Sequence, residues 1–206
     1  MVYTNNMFYL YEYKFDDLQN YNSLQLNRFH RYSFEKMEIS LEDIERILQN
    51  VKVVQEASIP FPQADSFERV INLCELLYKS DLTKNNITIE YGFDKRQTDY
   101  YINAGKYLDL IKEQDGVVSL SSTGRSIMDK SPTRRQLEFV HQILQHAVFN
   151  DVLKTQLKLG LLLSKAEIIG TMKRYPLFNV KSKSTYTRRA STVSSWINWI
   201  TSLITE

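Results

Sequence analysis

The chain has 206 residues, of which 43% are hydrophobic and 24% charged, with 6 glycines and 4 prolines. This composition is typical of a folded soluble protein with one large or two small domains, rather than of a disordered chain. No apolar run approaches the roughly 20 residues of a membrane-spanning helix, and the first residues are too acidic for a signal peptide. We therefore expect a cytoplasmic protein with no membrane partner.

The net charge of +2 is unevenly distributed. Residues 1–63 carry 6 basic and 9 acidic groups, residues 64–149 carry 11 and 12, and residues 150–206 carry 9 and 3. The C-terminal quarter is therefore the predicted contact for a polyanion, although a basic face is also compatible with simple solvation.

The N-terminal segment alternates aromatic and polar residues over residues 1–15, which predicts a strand with one polar face. It contains Glu12-Tyr13-Lys14, the only Asp/Glu-x-Lys triplet in the sequence. In many restriction-type nucleases such a triplet binds Mg²⁺ through the acid, while the lysine helps to activate water. No acidic residue precedes Glu12 to complete such a site. We therefore favour surface charges here, and Mg²⁺ is an expected cofactor only if nuclease activity is present.

A helix and a boundary are predicted before the central part of the chain. Ser40 and Asp43 form a capping-box pattern that predicts a short helix over residues 41–49. Two prolines within residues 55–65 cannot lie inside a helix and mark the best domain boundary. Residues 1–57 are thus predicted to form a small mixed α+β segment.

Two helices are predicted after this boundary. Asp65 with Glu68 is a box-like helix start, and an apolar stripe that includes Cys74 continues to about Lys79. A short helical segment then ends at Gly92. Cys74 is the only cysteine, and its place on an apolar face predicts a core thiol rather than a nucleophile.

A third helix and a hairpin complete this region. Asp94 and Gln97 form a capping box, and Asp115-Gly116 joins two short apolar runs. This order predicts a winged-helix domain over residues 58–132, and the alternative is an ordinary helix and hairpin in another α+β core. The polar face of the third helix can reach phosphates or base edges if the helix lies in a major groove. That face carries Lys95, Arg96, Thr98 and Asn103.

A second, helical domain is predicted over residues 133–206. A long helix is expected to continue to Ala147, and a second helix is expected within residues 150–163, with an end near Gly160. The histidines of the long helix, His141 and His146, are five residues apart rather than four. They therefore face different directions, and no metal site is predicted.

The end of the chain contains a basic pair of helices. Ser164 and Glu167 form a capping box for a helix that Pro176 stops, and the last helix begins near Ser184. Seven basic residues and one acid lie between positions 165 and 189. A helix, a loop and a helix with basic, hydroxyl-rich first turns are typical of a helix-turn-helix, in which the second helix meets base edges.

The last helix has an apolar stripe, and its opposite side is expected to face outward. That side carries Arg188, Ser191, Thr192 and Ser195. Trp196 and Trp199 are large enough that core or interface anchoring is favoured over base stacking. The alternative for this helix is a basic, solvated surface element that packs on the core.

Four segments resemble a known family: SIPFPQADSFERV, GFDKRQTDYYINAGKYLDLI, LSSTGRSIM and STYTRRASTVSSWINWI. Together they are similar to the tandem helix-turn-helix region of bacterial type II restriction endonucleases and their associated proteins, over residues 58–204. In such proteins this region is a DNA-recognition module, often joined to a separate metal-dependent nuclease domain. The resemblance implies that two recognition helices face DNA through Arg96, Gln97, Tyr100, Arg188, Arg189 and Ser191.

The whole chain is therefore expected to be mainly α with small β-hairpins. This is an α+β fold of tandem winged-helix and helix-turn-helix units after a small mixed N-terminal segment. We expect sequence-specific binding of double-stranded DNA by the recognition module or subunit of a restriction-type endonuclease system. The residues expected to contact DNA are Lys95, Arg96, Gln97, Tyr100, Lys181, Lys183, Arg188, Arg189, Ser191 and Thr192.

Catalysis is not expected from this chain alone. A nuclease domain needs on the order of 100 residues or more, and too few precede the predicted modules. Any cleavage is therefore expected from a nuclease subunit or another domain, and no cofactor is expected here. Three alternatives stay open: a winged-helix transcriptional regulator, a protein-interaction module, and a small Mg²⁺-dependent nuclease that uses Glu12 and Lys14. Neither the oligomeric state nor the recognised bases follow from the residues.

Overall fold

A computed structural model describes residues 38–56, 58–92 and 94–205 of the chain. The predictions for the N-terminal strand, including the candidate pair Glu12 and Lys14, lie outside these ranges.

The described residues form nine α-helices and three short β-strands. The helices are α1 (Leu41–Asn50), α2 (Phe67–Lys79), α3 (Lys84–Tyr91), α4 (Lys95–Tyr107), α5 (Ser122–Met128), α6 (Pro132–Leu144), α7 (Ala147–Leu159), α8 (Lys165–Met172) and α9 (Lys183–Ser202). The strands are β1 (Leu82–Thr83), β2 (Ile111–Gln114) and β3 (Val117–Leu120). The fold is mainly helical with a small antiparallel sheet, which confirms the α+β expectation at this level.

The sheet has the strand order β1-β3-β2, and its pairs are antiparallel. β2 and β3 form a hairpin in which Gln114 pairs with Val117. Its two-residue turn is the predicted Asp115-Gly116, with φ angles of 52° and 77°. A type I′ turn, which matches the strand twist, has positive φ at both central positions, so the predicted hairpin is confirmed. A further positive φ, 60° at Gly92, ends α3 where the sequence predicts a turn.

Local capping determines where several helices begin. The predicted capping boxes are present at Ser40 for α1, Asp94 for α4 and Ser164 for α8. The predicted start of α2 is wrong by one residue. Its cap is Ser66, whose hydroxyl accepts a backbone N–H from the first turn at 3.3 Å. Asp65 therefore lies outside the helix, and its side chain can bond to another element.

The long helix predicted at the start of the second domain ends earlier than predicted. α6 ends at Leu144, and His146 adopts an extended conformation before α7, with φ −92° and ψ 125°. The backbone N–H of Val54 donates to the carbonyl of Gln145 at 2.9 Å. The Asn150 amide donates to the carbonyl of Leu144 at 2.9 Å. The predicted end at Ala147 is therefore wrong, because bonds from a distant segment and from a side chain stabilise a break before that residue.

α8 also ends earlier than predicted. Its last residue is Met172 rather than the residue before Pro176, and Tyr175 lies in the following loop. The Tyr175 hydroxyl donates to the carboxylate of Asp151 on α7, so a tertiary hydrogen bond holds this residue outside the helix. Residues 173–182 connect α8 to α9.

One hydrophobic cluster includes residues of all nine described helices. Trp196 of α9 is fully buried, and its ring centroid lies 5.1 Å from those of both Phe149 and Phe67. Trp196 and Trp199 are both buried, which confirms their predicted role as core anchors. Residues on both sides of position 132 contribute to this cluster, and a domain boundary there stays a prediction. None of the helices in the described ranges has the length and apolarity needed to cross a bilayer.

Candidate functional site

The two predicted recognition helices, α4 and α9, are both bonded to the short segment that precedes α2. The Tyr101 hydroxyl of α4 donates to the Asp65 carboxylate at 2.6 Å. The Ser195 hydroxyl of α9 donates to the Asp65 backbone carbonyl at 2.5 Å. The Trp196 indole N–H donates to the carbonyl of Ala64 at 3.0 Å. This segment therefore holds both helices at one place in the fold.

The first turn of α4 is exposed and basic. Lys95, Arg96 and Gln97 are all exposed. The Arg96 guanidinium donates through Nε to the Tyr100 hydroxyl and lies over that ring, 5.4 Å from its centroid. Gln97 accepts the Asp94 N–H through Oε1 at 3.4 Å. The amide oxygen of Gln97 thus serves the helix cap, and its NH₂ group is the part suited to a base edge.

Thr98 does not belong to this exposed face. It is buried, and its hydroxyl forms a 2.8 Å hydrogen bond with the Thr88 hydroxyl of α3. The expectation that Thr98 faces outward is therefore wrong, because α3 packs on that side of α4. Asn103, predicted on the same face, is half-buried.

Ion pairs stabilise the position of α4 against α3 and β2. Lys84 of α3 lies 3.1 Å from Asp99 of α4 and 3.0 Å from Glu113 of β2. Lys106 of α4 lies 3.1 Å from Glu113. The two lysines hold the pKa of the Glu113 carboxyl below its usual value, through hydrogen bonds led by the one from Lys84. The two lysines and two carboxylates carry equal and opposite charge, so they contribute little to the electrostatic potential at the first turn of α4.

The N-terminal half of α9 has a face of basic and hydroxyl side chains. Lys183, Arg188 and Ser191 are exposed, and α9 contains no acidic residue. Thr187 and Ser191 donate to carbonyls one turn earlier at 3.0 and 3.2 Å. An open depression of about 740 Å³ lies along this face. It is lined by Lys183, Ser184, Thr187 and Arg188. Lys181, in the loop before α9, is also exposed.

Two of the predicted contact residues on α9 are buried. Thr192 is only 2% exposed and lies one turn before Trp196 on the packed side of the helix, so its predicted outward position is wrong. Arg189 is 8% exposed, and its Nε has no hydrogen-bond partner within the described residues. Burial, with a smaller effect of Arg188, lowers the pKa of the Arg189 guanidinium to about 10, so the group stays charged at neutral pH.

The Arg189 side chain of α9 lies within electrostatic range of α4. The Tyr100 side chain of α4 is close enough to raise the pKa of Arg189, against the effect of burial. Arg96 bonds to Tyr100. Arg188, the residue before Arg189, is exposed on the surface of α9. We name these four residues, Arg96, Tyr100, Arg188 and Arg189, the α4–α9 junction. The structure thus brings together the basic groups of two sequence segments that are about 90 residues apart.

The tip of the β2–β3 hairpin is not basic. Its turn is Asp115-Gly116, flanked by Gln114 and Val117, and all four residues are exposed. A carboxylate at the tip repels a phosphate backbone, and Lys112 is the exposed basic residue of the hairpin. The hairpin is therefore present as predicted, but its chemistry does not favour contact with a polyanion.

A buried polar cluster lies at the other end of α4. The Tyr107 hydroxyl donates to the Glu56 carboxylate at 2.7 Å, and the Tyr107 ring stacks on His146 with centroids 3.9 Å apart. His146 Nδ1 lies 3.9 Å from Glu56 Oε1, and neither atom has a hydrogen-bond partner in the described part of the chain. Burial raises the pKa of Glu56 and lowers the pKa of His146 to about 4.

Sequence reasoning did not find this cluster. Its three residues come from distant segments, and the Tyr107–Glu56 bond alone joins positions 51 residues apart. No spacing rule relates such positions, so only the folded arrangement reveals their contact. The cluster is enclosed, and we assign it to the support of α4 rather than to an open site.

Metal and thiol chemistry have no assembled site within the described ranges. No group of three or more His, Cys, Asp or Glu side chains there could hold a metal ion. Cys74 is fully buried, and burial raises the pKa of its thiol to about 12. The predicted core position of Cys74 is confirmed.

The class defined by these features is a mainly helical α+β domain with a small antiparallel sheet and a basic face on α4 and α9. Residues 69–205 match the family model described as "Domain of unknown function (DUF7226)". The chain belongs to this family. The comparison with curated proteins gave no match, and neither did the comparison with solved structures. The matched range includes both α4 and α9, so the α4–α9 junction lies within the family domain.

Proposed function

We propose that this protein binds double-stranded DNA in a sequence-selective manner through the exposed parts of α4 and α9. The observation that carries this proposal is the shared attachment of the two helices to Asp65, together with the exposed basic side chains on each helix, Lys95 and Arg96 on α4 and Lys183 and Arg188 on α9. Phosphate contacts supply most of the affinity of such a face, because basic side chains displace counterions from DNA.

The element order supports a winged-helix interpretation of the first unit. α2, β1, α3, α4, β2 and β3 follow one another as in a winged helix, and α4 has the position of the recognition helix. We propose that its first turn enters the major groove, with Arg96 and the Gln97 NH₂ group at base edges and Lys95 at a phosphate. The acidic hairpin tip would remain away from the backbone.

α9 supplies the second part of the proposed interface. A helix-turn-helix joins its helices through a turn of about three or four residues, whereas residues 173–182 separate α8 from α9. We therefore propose α9 as a phosphate-contacting helix beside a single winged helix, rather than as the recognition helix of a second unit with a standard turn. Lys181, Lys183 and Arg188 are its proposed contacts, with Ser191 as a neutral donor.

The resemblance to restriction endonuclease modules gives the proposed biological setting. We propose that the chain is the DNA-recognition module or subunit of a restriction-type system, and that a separate nuclease subunit or domain performs the cleavage. The basic face fits this role because it offers positively charged and hydrogen-bonding groups without an assembled metal site in the described residues.

Selection of bound duplexes from a random pool tests this function directly. We expect enrichment of a defined sequence by the full chain. The affinity for that duplex should fall as salt rises, with a slope near −0.9 in log K against log salt for each phosphate contact. A scrambled duplex of the same length and composition is the control. Absence of binding to any duplex at low salt would overturn the proposal.

A protein-interaction module is the second candidate, and one observation favours it. Three leucines around the α7–α8 loop are unusually exposed, with Leu159 at 54%, Leu161 at 54% and Leu162 at 68%. Neighbouring exposed leucines are typical of contacts with protein partners. Replacement of all three by serine should leave DNA affinity unchanged if the two functions use different surfaces. Loss of DNA binding in that variant would contradict the separation of the two faces.

A further inference from the structure

Arg189 has an environment that a structural arginine does not normally have. It is 8% exposed, and its Nε has no hydrogen-bond partner among the residues that the structure describes. The ionisable groups that influence it are Arg188, which repels its charge, and Tyr100. No carboxylate in the described ranges is one of them. Within the described residues, a positive charge is thus enclosed without a negative partner.

Such an arrangement is costly in the free protein. A buried charge loses hydration, and the loss is normally offset by a paired ion and by hydrogen bonds to its remaining donors. Arg189 lies on the packed side of α9, where an apolar side chain of similar length would avoid this cost. Local rules of this kind are broken mainly at functional sites, where a ligand supplies the missing partner.

The surroundings of Arg189 indicate the chemistry of that partner. Arg188 and Lys183 line the open depression on the adjoining side of α9, and Arg96 bonds to the neighbouring Tyr100. Every charged group of the junction is positive, and the Tyr100 hydroxyl adds a neutral donor. An anion with several acceptor oxygens matches this set, and a guanidinium binds phosphate through a fork of parallel N–H donors.

We propose that Arg189 is the buried part of a phosphate-binding site at the α4–α9 junction, completed by Tyr100 and Arg188. This site rests on the proposed function, in which the phosphate belongs to the DNA backbone. In this proposal, a phosphate oxygen reaches the guanidinium through the 8% of the residue that stays exposed. Because the site joins α4 and α9, one bound phosphate fixes the register of both helices on the duplex.

The variant Arg189→Met tests this proposal, because a ligand site and a structural site respond in opposite directions. Methionine has a similar length and no charge, so it removes the unpaired guanidinium without leaving a large cavity. We expect the melting temperature of the free protein to rise by about 2–4 °C. We expect the affinity for the selected duplex to fall roughly 10-fold to 100-fold, and the salt slope to become smaller by about 0.9.

Two matched variants define the controls. Arg134→Met changes an exposed arginine at the start of α6, outside the junction, and should alter neither the melting temperature nor the affinity. Arg189→Lys keeps the charge without the fork and should recover the salt slope but only part of the affinity. Full recovery of affinity by lysine would overturn the forked contact as the basis of the site.

A second arm uses inorganic phosphate as the probe, at constant ionic strength against chloride. We expect phosphate to raise the melting temperature of the natural chain and not that of Arg189→Met. If neither chain responds to phosphate and both bind the duplex equally, the phosphate site is overturned while the DNA-binding function stands. If no duplex binds but phosphate still stabilises only the natural chain, the anion site stands and the DNA-binding function fails. A lower melting temperature for Arg189→Met would identify a structural arginine and overturn the proposal.

Discussion

α4 and α9 look alike in sequence and differ in their environment. Each has adjacent basic residues near its beginning, Lys95-Arg96 in α4 and Arg188-Arg189 in α9. Both residues of the α4 pair are exposed, whereas only Arg188 of the α9 pair is. The first three residues of α4 are exposed. In α9, the side of the helix that includes Arg189 and Trp196 is buried against the core. The same pattern of two adjacent basic residues therefore gives two exposed cations in α4. In α9 it gives one exposed cation, Arg188, and one buried cation, Arg189.

The two helices also differ in how much polar contacts add to their packing. α4 contributes buried residues such as Ile102 and Ala104 to the core, and it is also attached through hydrogen bonds and ion pairs, including those of Lys84 with Asp99 and Glu113. α9 is attached mainly by apolar packing, because Trp196 is fully buried and α9 contains no carboxylate. Salt screens partly exposed ion pairs and leaves apolar burial intact, so the two attachments should respond differently to the same substitution or solvent.

The largest expected effect is the loss of packing under α9. Trp196→Ala removes a buried indole, its stacking on Phe149 and its bond to the Ala64 carbonyl. We expect the free energy of unfolding to fall by about 3–5 kcal/mol. Urea denaturation measures this change, and the exposed Asn198→Ala on the same helix should change it by less than about 0.5 kcal/mol. Equal effects of the two substitutions would contradict the packed attachment of α9.

Local chemistry explains which features could be predicted from the sequence. The caps at Ser40, Asp94 and Ser164 and the turn at Asp115-Gly116 depend on residues at most three positions apart, and all are present. Both partners of each hydrogen bond are close in the sequence, so the local pattern alone is enough to indicate these features.

Features set by distant residues could not be predicted in this way. The break between α6 and α7 needs the N–H of Val54, and the burial of Thr192 and Arg189 depends on what packs against both flanks of α9. Helical spacing gives the direction of a side chain, but the width of the buried side comes from tertiary packing. Helical spacing therefore predicted the exposed positions of Arg96 and Arg188, but it did not predict that Arg189 and Thr192 are buried.

A pH experiment tests the support beneath the C-terminal end of α4. The pKa of His146 is about 4 in the folded chain and 6.5 for an ordinary histidine, so the unfolded chain binds the proton first. Stability is therefore present above about pH 6.5 and is lost as the pH falls towards 4, by on the order of 2–3 kcal/mol. We expect His146→Phe, which keeps a ring against Tyr107, to lack this loss between pH 7 and 4.5 in denaturation experiments.

Glu56 changes stability with pH in the direction opposite to His146, so its contribution must be measured separately. Burial raises the pKa of its carboxyl in the folded chain, so its stabilising protonation is lost as the pH rises. Glu56→Gln should remove the stabilisation that Glu56 protonation provides at low pH, so the free energy of unfolding should fall more steeply on acidification. His141→Phe is the matched control on α6 and should keep the pH dependence of the natural chain. An identical pH profile in His146→Phe would remove His146 from the explanation.

Paired substitutions compare the two exposed faces as DNA contacts. Lys95→Ala with Arg96→Ala tests α4, and Lys183→Ala with Arg188→Ala tests α9. Each pair should weaken binding of the selected duplex by roughly 10-fold to 100-fold, and the α9 pair should reduce the salt slope by about 1.8. The α4 pair should also relax sequence preference, because Arg96 is proposed at a base edge. If only the α9 pair weakens binding, α4 is a scaffold or a partner surface.

The smallest expected effect concerns the hydrogen bond between α4 and the segment before α2. Tyr101→Phe removes the hydroxyl that donates to Asp65 at 2.6 Å and keeps the buried ring. We expect the free energy of unfolding to fall by about 1 kcal/mol, because the carboxylate loses a partner but keeps access to water. Ser195→Ala, which removes the matching bond of α9, should have a smaller effect, since apolar packing continues to hold that helix. A larger effect for Ser195→Ala would reverse the comparison.

The single buried cysteine makes the kinetics of opening directly measurable. Cys74 lies in the core side of α2, and its thiol is protonated at neutral pH. A colorimetric thiol reagent can therefore modify it only after the core has opened, and no other thiol in the sequence contributes to the signal. The labelling rate reports how often the centre of the domain is exposed to solvent. The natural chain thus contains its own reporter thiol for breathing motions, without an engineered cysteine.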